Sequence, residues 1–483
     1  MLCLALVLTL GALPSAAPAQ TPPPAAPAPP ATSAPPAAPA PAEMTTPPSM
    51  PPREPLPPPP GIRPFPTPQE LVGREIGLDE AVNIGLENAP LIVARIGDYI
   101  ASQQRVNQAL APLLPQLSAS GNYGRLRSIS SVTGASATGD FGSGSVTASQ
   151  LLFDFGRTWA AKDVAKSNAA ALREVLEAQK LDIAQLVKTQ YFTLLLSKRL
   201  VQVNLAALDR AEVNLRSAQG FFQVGTQPKS FVTRAEVDVA NARVNVIRAQ
   251  NAVNLARVAL NTAMGIAVNA PTEVKDLLSY VQFPVNRDEL LAEAMRNRPE
   301  YRQVKAQADA ADAFVRQTFR DFFPNLFGSG TYGITGVTGL PSGTSRSTSG
   351  FTDSGTEWNV GLTLSWSIFD GGGKIARYKE AKANLEAARA RVRDIELQVW
   401  QNVEQSYLNL GEAEERIGAA RKAVESAEEN YQLARGRFDA GVANIIELTD
   451  AQLALTQAQS DEAQALSDYR IAIARLERAL GRR

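Results

Sequence analysis

Residues 358–374 read WNVGLTLSWSIFDGGGK. Across the first eleven of them, every second position is large and apolar: Trp358, Val360, Leu362, Leu364, Trp366 and Ile368. The positions between are Asn, Gly, Thr, Ser and Ser. Successive side chains of a strand point to opposite faces, so this alternation predicts one apolar face and one small, polar face. About 9–11 residues with such alternation suffice for a tilted strand to cross a bilayer. The pattern then breaks at Phe369-Asp370-Gly371-Gly372 and passes into a long Ala-rich helical pattern.

The same junction occurs earlier as SQLLFDFGRT, residues 149–158, and the chain around it is duplicated. LENAPLIVARIGDYIASQQRVNQALAPLLPQLSASGNYG (86–124) matches MRNRPEYRQVKAQADAADAFVRQTFRDFFPNLFGSGTYG (295–333) at an offset of 209, pairing Pro90 with Pro299 and Tyr123 with Tyr332. Beyond the junction the offset is 216, pairing Phe153 with Phe369, Gly225 with Gly441 and Gly265 with Gly481. The length change falls between Gly124 and Phe153, where a loop tolerates it. A fixed period of this kind marks one structural unit used twice.

Each unit reads helix, strand, strand, long helix, turn, helix. Helical spacing over 79–112 stops near Pro112 and Pro115. Residues 157–222 and 373–438 predict helices of roughly 100 Å at 1.5 Å per residue. The helices after them, 229–263 and 443–480, carry seven-residue stripes. One is Val232, Val239, Val246, Val253 and Leu260; another is Ala235, Ala242, Ala249, Ala256 and Ala263. The second unit repeats them as Leu448, Leu455, Glu462, Tyr469 and Leu476, and as Ala451, Ala458, Ala465, Ala472 and Ala479. Such a repeat belongs to coiled-coil packing. Four strands are too few to close a membrane barrel. Open edges are not tolerated in lipid, so several chains must share one.

The 48 basic and 48 acidic residues balance, which gives no sign of nucleic-acid binding. The chain has no histidine, and its single cysteine is Cys3. Histidine bases, Cys-His pairs and imidazole metal sites are excluded together, and the chain is not expected to be an enzyme or to hold a cofactor. Residues 1–19 are short, apolar and end in Ala17-Pro18-Ala19, the form of a signal peptide, although the usual basic start is missing. Residues 22–68 hold 22 of the 33 prolines, so 20–77 is expected to be a disordered tether.

The duplicated pattern resembles the TolC-type outer-membrane efflux proteins over residues 78–483. The motifs that carry the resemblance are LDEAVNIGLENAP, LLPQLS with FFPNLF, LFDFGR with IFDGGGK, and the turns FFQVGTQPKS and FDAGVANIIELTDAQ. The resemblance implies a mixed α and β membrane protein, a homotrimer whose protomers each give four strands to a twelve-stranded β-barrel. A long periplasmic α-helical coiled-coil barrel continues it. It implies repeat 1 over 78–265 (strands about 116–126 and 144–155), a linker over 266–287, and repeat 2 over 288–483 (strands about 325–336 and 357–370). It implies an outer-membrane exit duct for tripartite efflux or type I secretion. The partners it implies are outer-membrane lipid, a periplasmic adaptor, and an inner-membrane transporter of RND, ABC or MFS type.

Roles come with the resemblance. Phe153, Asp154, Gly156, Phe369, Asp370 and Gly372 make the strand-to-helix corners, where Gly turns the backbone and Asp caps the helix. Trp358, Val360, Leu362, Leu364, Trp366 and Ile368 face lipid. Gly225, Thr226, Gly441 and Val442 form the periplasmic tip that meets the adaptor. Glu447 and Asp450, three apart on one helix face, ring the aperture, where carboxylates attract cations. The family's type member has a basic residue on this turn; Ala443 stands there. The alternative from another class is a trimeric coiled-coil adhesin without transport. Such proteins put strands once, at the C-terminus, whereas this chain has them twice in mid-chain.

Overall fold

The computed structural model describes residues 74–129, 136–284, 286–338 and 355–483. The leader and the proline-rich stretch to residue 73 lie outside the described residues. Repeat 1 begins with β1 (Glu75–Ile76), α1 (Leu78–Asn88), α2 (Pro90–Leu110) and a short 3-10 turn (Ala111–Leu113). It continues through β2 (Gln116–Ile129), β3 (Ser136–Phe153), α3 (Arg157–Gln223) and α4 (Lys229–Met264). After β4 (Glu273–Val274), repeat 2 runs α5 (Arg287–Asn297), α6 (Pro299–Arg320), β5 (Asn325–Thr338), β6 (Gly355–Ser365), α7 (Gly373–Asp439) and α8 (Ile445–Leu480).

Three expectations need correction. The helix read over 79–112 is broken at Ala89, which adopts an extended conformation before Pro90. Proline disfavours the helical region for the residue before it and sits well at a helix start. The segment read as tether to residue 77 ends earlier, because Glu75–Ile76 pairs in parallel with Glu273–Val274 and Ile76 is fully buried. Trp366 and Ile368 do not lie on a strand. β6 stops at Ser365 because its partner β5 begins at Asn325, the residue opposite Ser365. In repeat 1, β3 runs on to Phe153 by way of an irregularity between Leu151 and Phe153. The strands read as 116–126, 144–155 and 325–336 run over Gln116–Ile129, Ser136–Phe153 and Asn325–Thr338.

The four long strands form one antiparallel sheet in the order β2-β3-β5-β6. Register places Tyr332 opposite Trp358 and Gly330 opposite Val360, while Ser120 lies opposite Ser145 and Thr147 opposite Thr331. Leu117, Tyr123, Tyr332, Trp358, Val360, Leu362 and Leu364 therefore share one face. On the other, the Ser120 and Ser145 hydroxyls are 2.9 Å apart and those of Thr147 and Thr331 3.1 Å. The apolar face is not covered: Leu117, Tyr123, Trp358, Val360, Leu362 and Leu364 are all exposed.

Helix α3, 67 residues long, is the axis of the helical part. It is flanked by α1 and α2, by α4, and by α6 and α8 of the other repeat. Helix α7, of the same length, packs mainly on α5, α6 and α8 and meets α3 near the Gly441 end, through Phe438 and Tyr431. Helix α8 lies between α3 and α7, which is why Ala451, Ala458, Ala465, Ala472 and Ala479 are all buried on it. Small side chains let the three long axes approach closely. Half-way along α3, the buried Tyr191 hydroxyl donates to the Ile76 carbonyl (3.1 Å) and the Lys275 carbonyl (2.9 Å), and burial pushes its phenol up to about 12.

Ion pairs join the repeats. Arg478 of α8 lies between Asp182 of α3 (Nε–Oδ1 2.7 Å) and Glu300 of α6, and Lys188 pairs with Glu477 (2.6 Å). Burial raises the Glu300 carboxyl, but the hydrogen bond and charge of Arg478 outweigh it and hold Glu300 below the usual range.

The corners differ between repeats. In the first, Asp154 is buried; its carboxylate accepts from the backbone N–H of Gly156 (3.0 Å) and Thr158 (2.7 Å) and from the Thr158 hydroxyl (2.5 Å). Phe155 has φ 53 and Gly156 φ 80, so two consecutive left-handed residues turn strand into helix; repeat 2 uses Gly371 and Gly372 instead. A side chain at such φ costs roughly 1–2 kcal/mol. Phe155 offsets this by stacking on Phe323 (5.1 Å), while Arg320 donates to the Gly156 carbonyl (2.5 Å) and pulls α6 over the corner. In repeat 2, Asp370 accepts from the Lys374 N–H (2.9 Å), but Phe369 is 85% exposed and Asp370 is also exposed. Replacing Asp154 with Ala strands two buried donors at a helix start. The expected loss is about 1–3 kcal/mol per chain. It is read as a lower melting temperature of the purified protein, and an unchanged value would deny Asp154 its capping role.

Candidate functional site

The sequence-derived positions divide between two ends of the molecule. The corners and the apolar strand positions lie at one end of α3 and α7. Gly225, Thr226, Gly441, Val442, Glu447 and Asp450 lie at the other, roughly 100 Å away by helix length.

At the tip end both hairpins close in the same way. The Gly225 N–H donates to the Phe222 carbonyl (3.0 Å), and Thr226 donates through N–H and hydroxyl to the Phe221 carbonyl (2.9 Å each). The Gly441 N–H donates to the Phe438 carbonyl (2.9 Å) and the Val442 N–H to the Arg437 carbonyl (3.0 Å). These are the bonds of a helix end that turns through a left-handed residue, with φ 76 at Gly225 and 75 at Gly441. Asn444 then caps α8 by accepting from the Ile446 N–H (3.3 Å).

The two tips are packed together. Phe221 meets Phe438 edge to face, with centroids 5.6 Å apart, over a core of Tyr431, Ala434, Ala443, Ile445, Leu448 and Leu455. Ala443 is thus buried packing, not a charged position. Polar bonds cross between the hairpins: Thr449 donates to Asp238 (3.1 Å), Asn214 donates to Gln452 (2.7 Å), and Gln452 donates to the Ala207 carbonyl (3.0 Å).

Glu447 and Asp450 differ in state. Arg437, in the last turn of α7, donates through Nη1 to Glu447 Oε1 at 2.7 Å. Asp450 is exposed and unpaired among the described residues. Sequence reading missed Arg437, as it missed Asp238, Asn214 and Gln452. Arg437 lies four residues before Gly441 and Glu447 six after it, so a hairpin closing at Gly441 folds one back toward the other, and that spacing is the signal that could have found the pair. Val224 and Val442 are more than two-thirds exposed at the apex, so the tip presents apolar side chains beside its charges.

The described residues contain no group of three or more His, Cys, Asp or Glu side chains placed to hold a metal. The tip brings together charge, turn geometry and exposed apolar groups.

Comparison with known proteins agrees with this layout. The model of the outer membrane efflux protein family matches residues 82–266 and 290–482, so each repeat is matched separately. The alkaline protease secretion protein AprF of Pseudomonas aeruginosa is 28% identical over 424 residues, covering 83% of each chain. The outer membrane protein TolC of Escherichia coli is 25% identical over 390 residues, 80% of this chain and 78% of that one. Among solved structures, the outer-membrane channel OprN superposes with a TM-score of 0.71 at 21% identity, covering 84% of this chain and 89% of that one. CusC superposes with a TM-score of 0.71 at 19% identity, covering 84% and 92%.

Proposed function

This chain belongs to the outer membrane efflux protein family, and from that membership we propose that it is an outer-membrane exit duct. It serves tripartite efflux or type I secretion, passing cargo passively from the periplasmic side to the exterior. Three copies close a twelve-stranded barrel in the outer membrane, and their helices continue it as a periplasmic tunnel. The tips close that tunnel and meet a periplasmic adaptor, itself joined to an inner-membrane pump of RND, ABC or MFS type.

The observation that carries this reading is the open four-stranded sheet at the head of the long helices. Its apolar face is bare, and both of its edges, β2 and β6, lack partners among the described residues. An unpaired edge in lipid costs several kcal/mol per backbone group, so the edges must pair with other copies. β2 and β6 run in opposite directions, so edge-to-edge closure keeps the sheet antiparallel throughout.

The bare second corner supports the same arrangement. Phe323, in the turn between α6 and β5, covers the repeat 1 corner, and its counterpart at the 209-residue offset is Leu114, which is 62% exposed. A neighbouring copy brings its Leu114 to the exposed Phe369 and Asp370. Three copies also set the Glu447 and Asp450 carboxylates around one aperture, with Arg437 neutralising part of that charge.

Single-channel current in planar bilayers tests this reading. The wild-type chain is expected to give a small conductance with cation preference. Glu447→Ala/Asp450→Ala is expected to raise the conductance and abolish the preference. An unchanged conductance would move the constriction away from these residues. No conductance from either would overturn the duct in favour of an adhesive coiled coil.

A further inference from the structure

We propose that Arg125 and Arg127 form a seat for a phosphorylated lipid headgroup on the outer wall of the barrel. This rests on the barrel reading above. The four strands carry only four charges in all: Arg125 and Arg127 on β2, Asp140 on β3 and Glu357 on β6. The two basic residues are on one strand and two positions apart, hence on one face.

That face is the apolar one. Leu117, Ala119, Gly121, Tyr123, Arg125 and Arg127 alternate along β2, and Leu117 and Tyr123 are among its most exposed apolar residues. The arginines therefore point where the lipid is. They lie ~7 and ~14 Å along the strand beyond Tyr123, at about 3.4 Å per residue, toward the end of the sheet away from the helices. Tyr123 is the kind of amphipathic side chain that settles at a membrane interface. Next beyond it comes the headgroup layer of the outer leaflet.

The local geometry leaves Arg125 able to bind. Asp140 takes its Nε–H (2.8 Å) and an Nη2–H (3.4 Å), while the Arg125 side chain remains 74% exposed. A guanidinium has five donors, and Asp140 takes only two of them. Asp140 holds the planar group in place, and a fixed guanidinium gives phosphate two parallel hydrogen bonds. Arg127, also exposed, adds a second positive charge one pleat further out. The pair stands on the edge strand of the protomer, so in a closed trimer each seat lies at a seam between copies. A lipid bound there bridges two subunits by contacts to headgroup and acyl chains together.

The test is native mass spectrometry of detergent-purified trimers. These are equilibrated with a glycolipid bearing two phosphates on its headgroup, with its dephosphorylated counterpart, or with inorganic phosphate. Wild-type trimers are expected to retain up to one phosphorylated lipid per protomer and neither other probe. Arg125→Gln/Arg127→Gln is expected to lower that retention about tenfold or more. Arg127→Gln alone, which leaves the Arg125–Asp140 pair intact, is expected to lower it partway. Equal retention by the double variant, or of the dephosphorylated lipid by the wild type, overturns the seat. Retention of inorganic phosphate in place of lipid would make it an anion site and overturn the lipid assignment. Absence of the wild-type chain from the outer membrane would overturn the barrel itself, and the seat with it.

Discussion

Val360→Arg is expected to remove the protein from the outer membrane, with trimers falling more than tenfold. Val360 is 79% exposed in the middle of the apolar face of β6, opposite Gly330. An Arg at the bilayer midplane of a β-barrel costs about 2–4 kcal/mol, and the trimer carries three. The neighbouring Asn359 is on the other face, opposite Thr331. Asn359→Arg meets the water-filled interior and is expected to leave assembly near wild type. Heat-modifiable mobility of outer-membrane fractions on gels reads both variants. Equal tolerance of the two would mean that β6 does not face lipid and that the barrel is built otherwise.

Gly441→Val is expected to abolish export while trimers still reach the outer membrane. At φ 75 a residue with a Cβ is strained by roughly 1–2 kcal/mol, and branching at Cβ adds to that. No atom lies within 4 Å of where a Cβ would stand, so the damage is conformational, not steric crowding. Relief of the strain breaks the bonds from Gly441 to Phe438 and from Val442 to Arg437, and turns the Arg437–Glu447 pair out of register. The far end of the molecule is untouched, so assembly should be spared. Gly441→Asn, which tolerates the left-handed region, is expected to keep most of the export. Normal export from Gly441→Val in cells that depend on this chain would take the turn out of gating and docking.

Periodicity made much of the architecture legible in the sequence. The duplication, the order of elements, the two long helices and the alternation of β6 are local patterns, each written within one stretch of chain. Local dihedral chemistry wrote the turns: Gly225 and Gly441 hold positive φ, and Asp154 and Asp370 accept from the N–H groups that follow them. The break at Ala89 was in principle legible too. Pro90 was there to be read, but helical spacing on either side of it outweighed the signal.

Other features existed only once distant segments met. Sequence periodicity does not say which strand lies beside which. The order β2-β3-β5-β6 joins the repeats into one sheet, and the end of β6 at Ser365 follows from where β5 begins. Nor does it say that α3 is more enclosed than α7, which depends on the packing of both repeats. The most consequential case is the tip. Glu447 and Asp450 look alike in sequence, three residues apart on one helix. Only the hairpin's return brings Arg437 to 2.7 Å from Glu447 and leaves Asp450 in solvent. Short-range propensity is a property of a segment, whereas the state of a charge is set by whatever the fold carries to it.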